Sequence, residues 1–175
     1  HIERNNSEHL VDLGLKKGQK KKIRVDGKEL ERLANHIGYL PVVMISPMDR
    51  DLIIDAAEVR RKWMDTTISQ SDSNYLRALI QYNRALSQRN TTLKYFAKNR
   101  TFDAEMLELY NNQLVEYSIQ IFEARQGFVE ELAPLLQNYY EVLSGGKEKV
   151  GLTYKSQLIT ASMEELLASN MEKDR

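Results

Sequence analysis

SDSNYLRALIQYNRALSQRNTTLKYFAKNR, residues 71–100, is the stretch that decides the fold. Tyr75, Leu79, Tyr82, Leu86, Arg89, Leu93 and Phe96 follow one another at alternating steps of four and three. That spacing holds one stripe of a helix against a partner helix, the seam of a coiled coil. Leu107, Tyr110, Leu114, Tyr117, Ile121, Ala124 and Phe128 repeat it just beyond the short polar connection Asn99, Arg100 and Thr101. Two seams joined so closely predict helices folded back on each other, each about 40 Å long at about 1.5 Å per residue. The second seam drifts after Phe128 towards Leu132, Leu136, Tyr139 and Leu143, and Pro134 is expected to bend the helix there. The fold class is predominantly α (α+β), dominated by a long antiparallel helical hairpin.

Outward from the hairpin the signals are shorter. Alternation of Val11, Leu13 and Leu15, a turn at Lys17-Gly18 and further alternation over 20–25 predict a β-hairpin, with Asp26-Gly27 turning the chain again. Residues 30–37 have helical spacing and end at Gly38, a suitable C-terminal cap. Residues 41–45, PVVMI, form a continuous apolar run and predict a strand buried on both faces. Ser46-Pro47-Met48-Asp49 opens a helix. A second helix is predicted over 56–69, with Val59, Trp63 and Met64 on its inner face. After the hairpin, Gly145-Gly146 stop the helix and Val150, Leu152 and Tyr154 alternate as a strand. Ser162 and Glu165 form a capping box for a last short helix, and residues 170–175 read as frayed.

The 175 residues are 42% hydrophobic and 29% charged, which fits a folded, soluble protein, and no apolar run is long enough to span a bilayer. With no cysteine there are no disulfides, thiolate metal sites or thiol catalysis, and three scattered histidines make a metal centre improbable. The chain starts at His1 without a secretory pattern, and the expected setting is a cytoplasmic parent protein of which this is a piece. The net charge of zero conceals three blocks. Lys16, Lys17, Lys20, Lys21, Lys22 and Arg24 cluster without an acid, and residues 73–102 are also acid-free. Residues 103–143 carry eight acids against Arg125 alone. Blocks of one sign call for partners.

Four short patterns stand in order through the middle of the chain: SPMDRDLI at 46–53, RRKWMD at 60–65, ISQSDSNYLRALIQYNRAL at 68–86 and QRNTTLK at 88–94. Together with KKIRVDGKELERLANHIGYLPVVMIS before them and LSGGKEKVGLTYKSQL after them, this order resembles the RecF family, DNA-repair ATPases related to the ABC and SMC proteins. The resemblance implies a helical arm (47–146) between the trailing part of an ABC-ATPase-like α/β lobe (1–46) and the start of a second lobe (147–175). It implies a parent that binds DNA at single-strand/double-strand junctions in gaps and dimerises on ATP. That parent would work with RecO- and RecR-type mediators and help load the RecA recombinase. ATP and Mg would belong to the parent, a weak DNA-dependent ATPase; this chain has no Walker A, Walker B or signature loop and is expected to be non-catalytic, with no cofactor of its own. The competing reading is a helical coiled-coil interaction module unrelated to nucleotides.

Each candidate site has a structural reading beside the functional one. By the resemblance, Ser46 and Asp49 leave the strand that precedes a nucleotide-sensing segment, with Arg60 or Arg61 coupling it to the arm; the alternative is a helix cap and ion pairs with Asp55 or Asp65. The family usually has a glycine shortly before the paired arginines, where this chain has Asp55-Ala56-Ala57. Lys16, Lys17, Lys20, Lys21, Lys22 and Arg24 are DNA-binding candidates, or a hairpin edge kept soluble by lysines. Leu143-Ser144-Gly145-Gly146-Lys147 imitates a signature loop but follows a helix, so it reads as a cap. Tyr75, Tyr82, Tyr110 and Tyr117 read as core, not as a base-stacking platform. Antiparallel register at positions summing to about 200–203 sets Arg89 against Asn112, flanked by Asn111 and Gln113, as a polar layer. It also sets Lys98, Lys94, Arg84 and Arg77 towards Glu105, Glu108, Glu116 and Glu123, so that the acidic helix would neutralise the basic one.

Overall fold

The computed structural model describes residues 1–4 and 6–174. Strands β1 (Ile2–Arg4) and β2 (Ser7–His9) pair antiparallel. A three-stranded antiparallel sheet follows, β3 (Val11–Gly14), β4 (Lys22–Val25) and β5 (Lys28–Glu29), in the order β3-β4-β5. Asp26 and Gly27 both take positive φ, the geometry of the two-residue turn whose twist suits a hairpin. Asp26 is also tied down, accepting from the Leu10 N–H and from His9, a bond that draws its carboxyl below the ordinary range.

The segment after the sheet is shorter in regular structure than its pattern suggests. A single 3-10 turn, Leu33–His36, replaces the helix expected over 30–37, and the left-handed stop at Gly38 comes after Ile37 has already extended. Gly38 is needed for a second reason. A Cβ there would lie 2.6 Å from the backbone oxygen of Gln70, besides being held at φ +82°. Gly38→Ala is therefore expected to lower unfolding free energy by about 2 kcal/mol, read by urea denaturation, because both the backbone basin and the contact resist a side chain.

Residues 41–45 form no strand. Val43 and Ile45 are about nine-tenths exposed, and no strand among the described residues pairs with the segment. An apolar run specifies burial only where neighbouring strands and covering faces exist, and none here supplies them. Residues 149–156 likewise lack a strand; Tyr154 instead lays its ring against Phe122, 5.8 Å between centroids, and the Val150 N–H donates to Gln137.

The connector to the hairpin follows the expected chemistry. Ser46 caps a 3-10 turn (Pro47–Arg50) that runs into α1 (Asp51–Ile54), and α2 covers Ala57–Ser71. Along α2 the buried stripe is Met64, Ile68 and Ser69, whereas Trp63 sits at the rim, edge-on to Phe128 at 5.6 Å. Asp72 ends α2 and caps α3 (Ser73–Asn99), accepting from Asn74 and Tyr75 N–H groups. Arg100 in the left-handed region turns the chain, and Asp103 caps α4 (Ala104–Ser144). The α4 helix continues through Pro134 and ends on Gly145 and Gly146, whose N–H groups bond back to Val142 and Glu141 carbonyls. Helix α5 (Met163–Asp174) opens on the reciprocal Ser162–Glu165 box and stays helical to Asp174. Of the stretch read as frayed, only Arg175 lies outside the described residues.

The core runs along the α3–α4 seam and into α2, gathering Met64, Ile68, Tyr75, Ala78 and Ile121. On α3 the deepest positions are Tyr75, Ala78, Ala85, Arg89, Thr92 and Phe96, so Ala78, Ala85 and Thr92 share the inner line with three large side chains, and Leu79, Leu86 and Leu93 flank it. Small side chains let the helix backbones approach; the leucines then cover the sides of the contact. Among the described residues no helix is long and apolar enough to cross a membrane.

Candidate functional site

Three helices meet at Asp65, Tyr75 and Arg125. Arg125, from α4, grips Asp65 of α2 bidentately, Nε to Oδ1 at 2.8 Å and Nη2 to Oδ2 at 2.9 Å. Tyr75, from α3, donates its hydroxyl to Asp65 Oδ1 at 2.5 Å and accepts from Arg125 Nε at 3.2 Å. Less than a fifth of the Asp65 and Arg125 side chains is exposed, so this is a largely buried ion pair in which both Asp65 oxygens accept a charged hydrogen bond. Burial is the largest single influence and works against the Arg125 charge, but the bonds and charges of Asp65 and Tyr75 together outweigh it, and the guanidinium is held charged beyond its ordinary range. Burial, then the Asp65 bond, push the Tyr75 phenol well above its ordinary value of 10.0.

The sign of that shift sets an alkaline limit. The neutral phenol belongs to the folded state, so its contribution is whole below pH about 10 and is lost as pH rises towards the raised folded value. Thermal melts above that pH are expected to show falling stability, and Tyr75→Phe to show a shallower fall. Tyr82, also raised by burial, contributes to the remainder.

Around this joint the predicted nucleotide-sensing residues have other engagements. Ser46 Oγ accepts from Met48 N–H and Asp49 Oδ2 from Ser46 N–H, a reciprocal cap that engages one oxygen of the Asp49 carboxylate. Arg60 donates to the Leu52 and Asp55 carbonyls at 3.0 and 2.8 Å and so fastens the C-terminal end of α1 to α2. Neither arginine bridges Asp55 or Asp65 through its side chain, because Arg125 already fills Asp65. Arg61 lines a groove of about 940 Å³ with His36, Glu58 and Gln70, between α2, α3 and the segment at 36–40, and Asp65 and Arg125 of the joint border the same groove.

The charge clusters resolve differently. On the sheet, Arg24 is registered between Asp12 and Glu29, and Lys22 bonds Glu29 at 3.1 Å. Lys16, Lys17, Lys20 and Lys21 remain exposed around the hairpin tip. Within the arm, Arg89 is 4% exposed and donates from Nε to Asn111 Oδ1 at 2.8 Å and from Nη2 to Asp174 Oδ2 at 2.6 Å. Asn112 is exposed, one position round the helix from the residue that takes the bond, and the second partner comes from α5, 85 positions along the chain. None of the four ion pairs expected between α3 and α4 forms within 4 Å among the described residues. Register fixes which residues lie level, not which face they occupy. At about 3.6 residues per turn, Glu105, Glu116 and Glu123 sit on the side of α4 opposite buried Leu107, Leu114 and Ser118. The cations of α3 likewise point away from its buried line.

The Asp65–Tyr75–Arg125 joint was not singled out from the sequence. Its one visible signal is Arg125, the lone cation in the acidic block 103–143. A charge that breaks such a pattern on a helix marks an internal partner.

The fold is a long antiparallel helical hairpin tied to α2 through a largely buried charged joint. No family model matches the chain. Among curated proteins it is 46% identical over 174 residues to the DNA replication and repair protein RecF of Flavobacterium johnsoniae, covering 99% of this chain and 48% of that one. It is 41% identical over 168 residues to RecF of Parabacteroides distasonis, covering 96% and 45%. A solved structure of the recombination mediator protein RecF-ATPrS in the RecFOR pathway superimposes with a TM-score of 0.84 at 28% identity, over 97% of this chain and 48% of that chain. The chain belongs to the RecF family, and it spans about half the length of the curated relatives it matches.

Proposed function

We propose that this chain is the arm-bearing segment of a RecF-like DNA replication and repair protein that binds DNA at gaps in an ATP-dependent way. The observation that carries the reading is the likeness to RecF along 99% of the chain at 46% identity, with the same fold as RecF bound to ATPrS. On this reading the full protein dimerises on ATP, works with RecO- and RecR-type mediators and helps load RecA. The part played by this chain is mechanical. The joint at Asp65, Tyr75 and Arg125 transmits the position of α2, and of the capped connector before it, to the α3–α4 hairpin.

On this reading the triphosphate is held by other parts of the full protein. The Gly145 and Gly146 N–H groups are bonded to carbonyls of the helix they terminate, and one oxygen of Asp49 is engaged in the cap. A phosphate seat of the signature-loop kind uses free N–H groups at the start of a helix. The purified chain is accordingly expected to show no ATP hydrolysis above background; turnover that survives repurification and follows the chain would overturn its mechanical role.

The proposal as a whole is tested with the full gene product and fluorescent gapped duplexes. Fluorescence anisotropy is expected to show tighter binding to gapped than to blunt duplex, and only when ATP and Mg are present. Binding that is absent, or equal with and without ATP, contradicts it.

A further inference from the structure

The unpaired cations of α3 form a surface. Arg77, Arg84, Lys94 and Lys98 are all exposed, and they lie within an arc of about 100° at 3.6 residues per turn, facing away from the buried line Ala78, Ala85, Arg89 and Phe96. No acid occurs between residues 73 and 102, and none of these four lies within 4 Å of a carboxylate among the described residues. Arg77 is steadied by Asn74 at 3.1 Å. Exposed Ser87 and Thr91 share the same face. The acids of α4 point to the opposite side of the hairpin, so the arm is basic on one flank and acidic on the other.

We propose that this outward face of α3 is a docking surface for the phosphate backbone of duplex DNA, which rests on the DNA-binding reading above and gives it a location. From Arg77 to Lys98 the face runs about 31 Å at 1.5 Å per residue, close to one turn of duplex at about 34 Å. The seven-residue step from Arg77 to Arg84, about 10.5 Å, matches three phosphates of one strand at about 3.4 Å along the axis. Guanidinium, ammonium and hydroxyl groups are the side chains that contact phosphate without reading bases. Tyr95 is the single exposed aromatic of this helix, so the face lacks the ladder of rings on which single strands stack. The acidic flank of α4 repels the same polyanion and orients the arm with α3 towards it. The hairpin tip differs: acids of its own sheet neighbour Lys22 and Arg24, whereas the α3 face has none.

The test uses the full gene product and the salt dependence of its affinity for two duplexes of unrelated sequence. Replacing Arg77, Arg84, Lys94 and Lys98 together with Gln is expected to flatten the slope of log K against log salt by about 3.6 units, near 0.9 for each of the four lost contacts. The affinity loss should be at least about tenfold and equal for both sequences. Arg77→Lys with Arg84→Lys, which keeps the charge, should retain the slope. If the Gln variant keeps the wild-type slope while Gln at Lys16, Lys17, Lys20 and Lys21 flattens it, the α3 surface is overturned and DNA binding stands. If the Gln variant alters sedimentation but not the slope, the face is a protein interface and the proposal is overturned. If the wild-type protein binds no duplex, the function reading fails, and the surface with it.

Discussion

Arg125→Ala is expected to destabilise the chain by about 3 kcal/mol, the lower end of what breaking a buried ion pair costs. The loss has two parts: Asp65 keeps its charge with less than a fifth of its side chain exposed, and Tyr75 loses an acceptor role beside it. For a chain of this size the melting temperature should fall by about 6–12 °C. A triple variant, Asp65→Leu, Tyr75→Phe and Arg125→Met, removes every charge at once and should recover most of that loss, since well-packed apolar groups replace buried pairs at little cost. Urea denaturation of the single and triple variants measures both. A single variant within 1 kcal/mol of the wild type (the range of exposed pairs, about 0–1 kcal/mol) would show that water reaches the joint freely.

The second large effect is in the seam. Leu114 is 2% exposed on the buried line of α4. Leu114→Ala removes its transfer free energy and leaves a cavity between two long helices that are tied together at Tyr75–Arg125 and at Arg89–Asn111. The expected loss is about 3 kcal/mol, within the range of about 2–5 for buried leucines. Leu109, on the same helix but 60% exposed, serves as the control, and its replacement by Ala should stay within about 0.5 kcal/mol. Equal losses at the two positions would mean that α3 does not cover α4 as described.

The hairpin was legible because its signal repeats: two seams, a polar break at 71–73 and a short connection are local facts, and each constrains the next. Within that signal the choice between Leu79 and Ala78 as the inner position was not legible. Hydrophobicity favours leucine, whereas close helix approach favours alanine, and the backbone separation is a property of the pair. Caps read equally well, because Ser46 with Asp49 and Ser162 with Glu165 act within four residues. The reading of 41–45 failed for the opposite reason, since whether PVVMI is covered depends on segments it does not encode. The candidate site divides along the same line. Arg89 stood out as a charge on a seam, and its neighbour Asn111 lay one position from the expected partner. Its second partner, Asp174, and the pairing of Arg125 with Asp65 across 60 positions, required the fold. The ion pairs drawn between α3 and α4 show how register misleads when the face is ignored.

The account rests on the arm moving as one body with the connector, through the joint. In the full gene product, Tyr75→Phe removes the hydroxyl of that joint, and Arg125→Met removes its cation and leaves the Asp65 carboxylate with Tyr75 alone. Anisotropy titrations of gapped duplex, with and without ATP, compare them with the wild type at matched salt. The account predicts that binding without ATP is unchanged while the ATP-dependent gain shrinks, more for Arg125→Met than for Tyr75→Phe. An ATP-dependent gain equal to the wild type's in both variants, with the fold intact by circular dichroism, would contradict it.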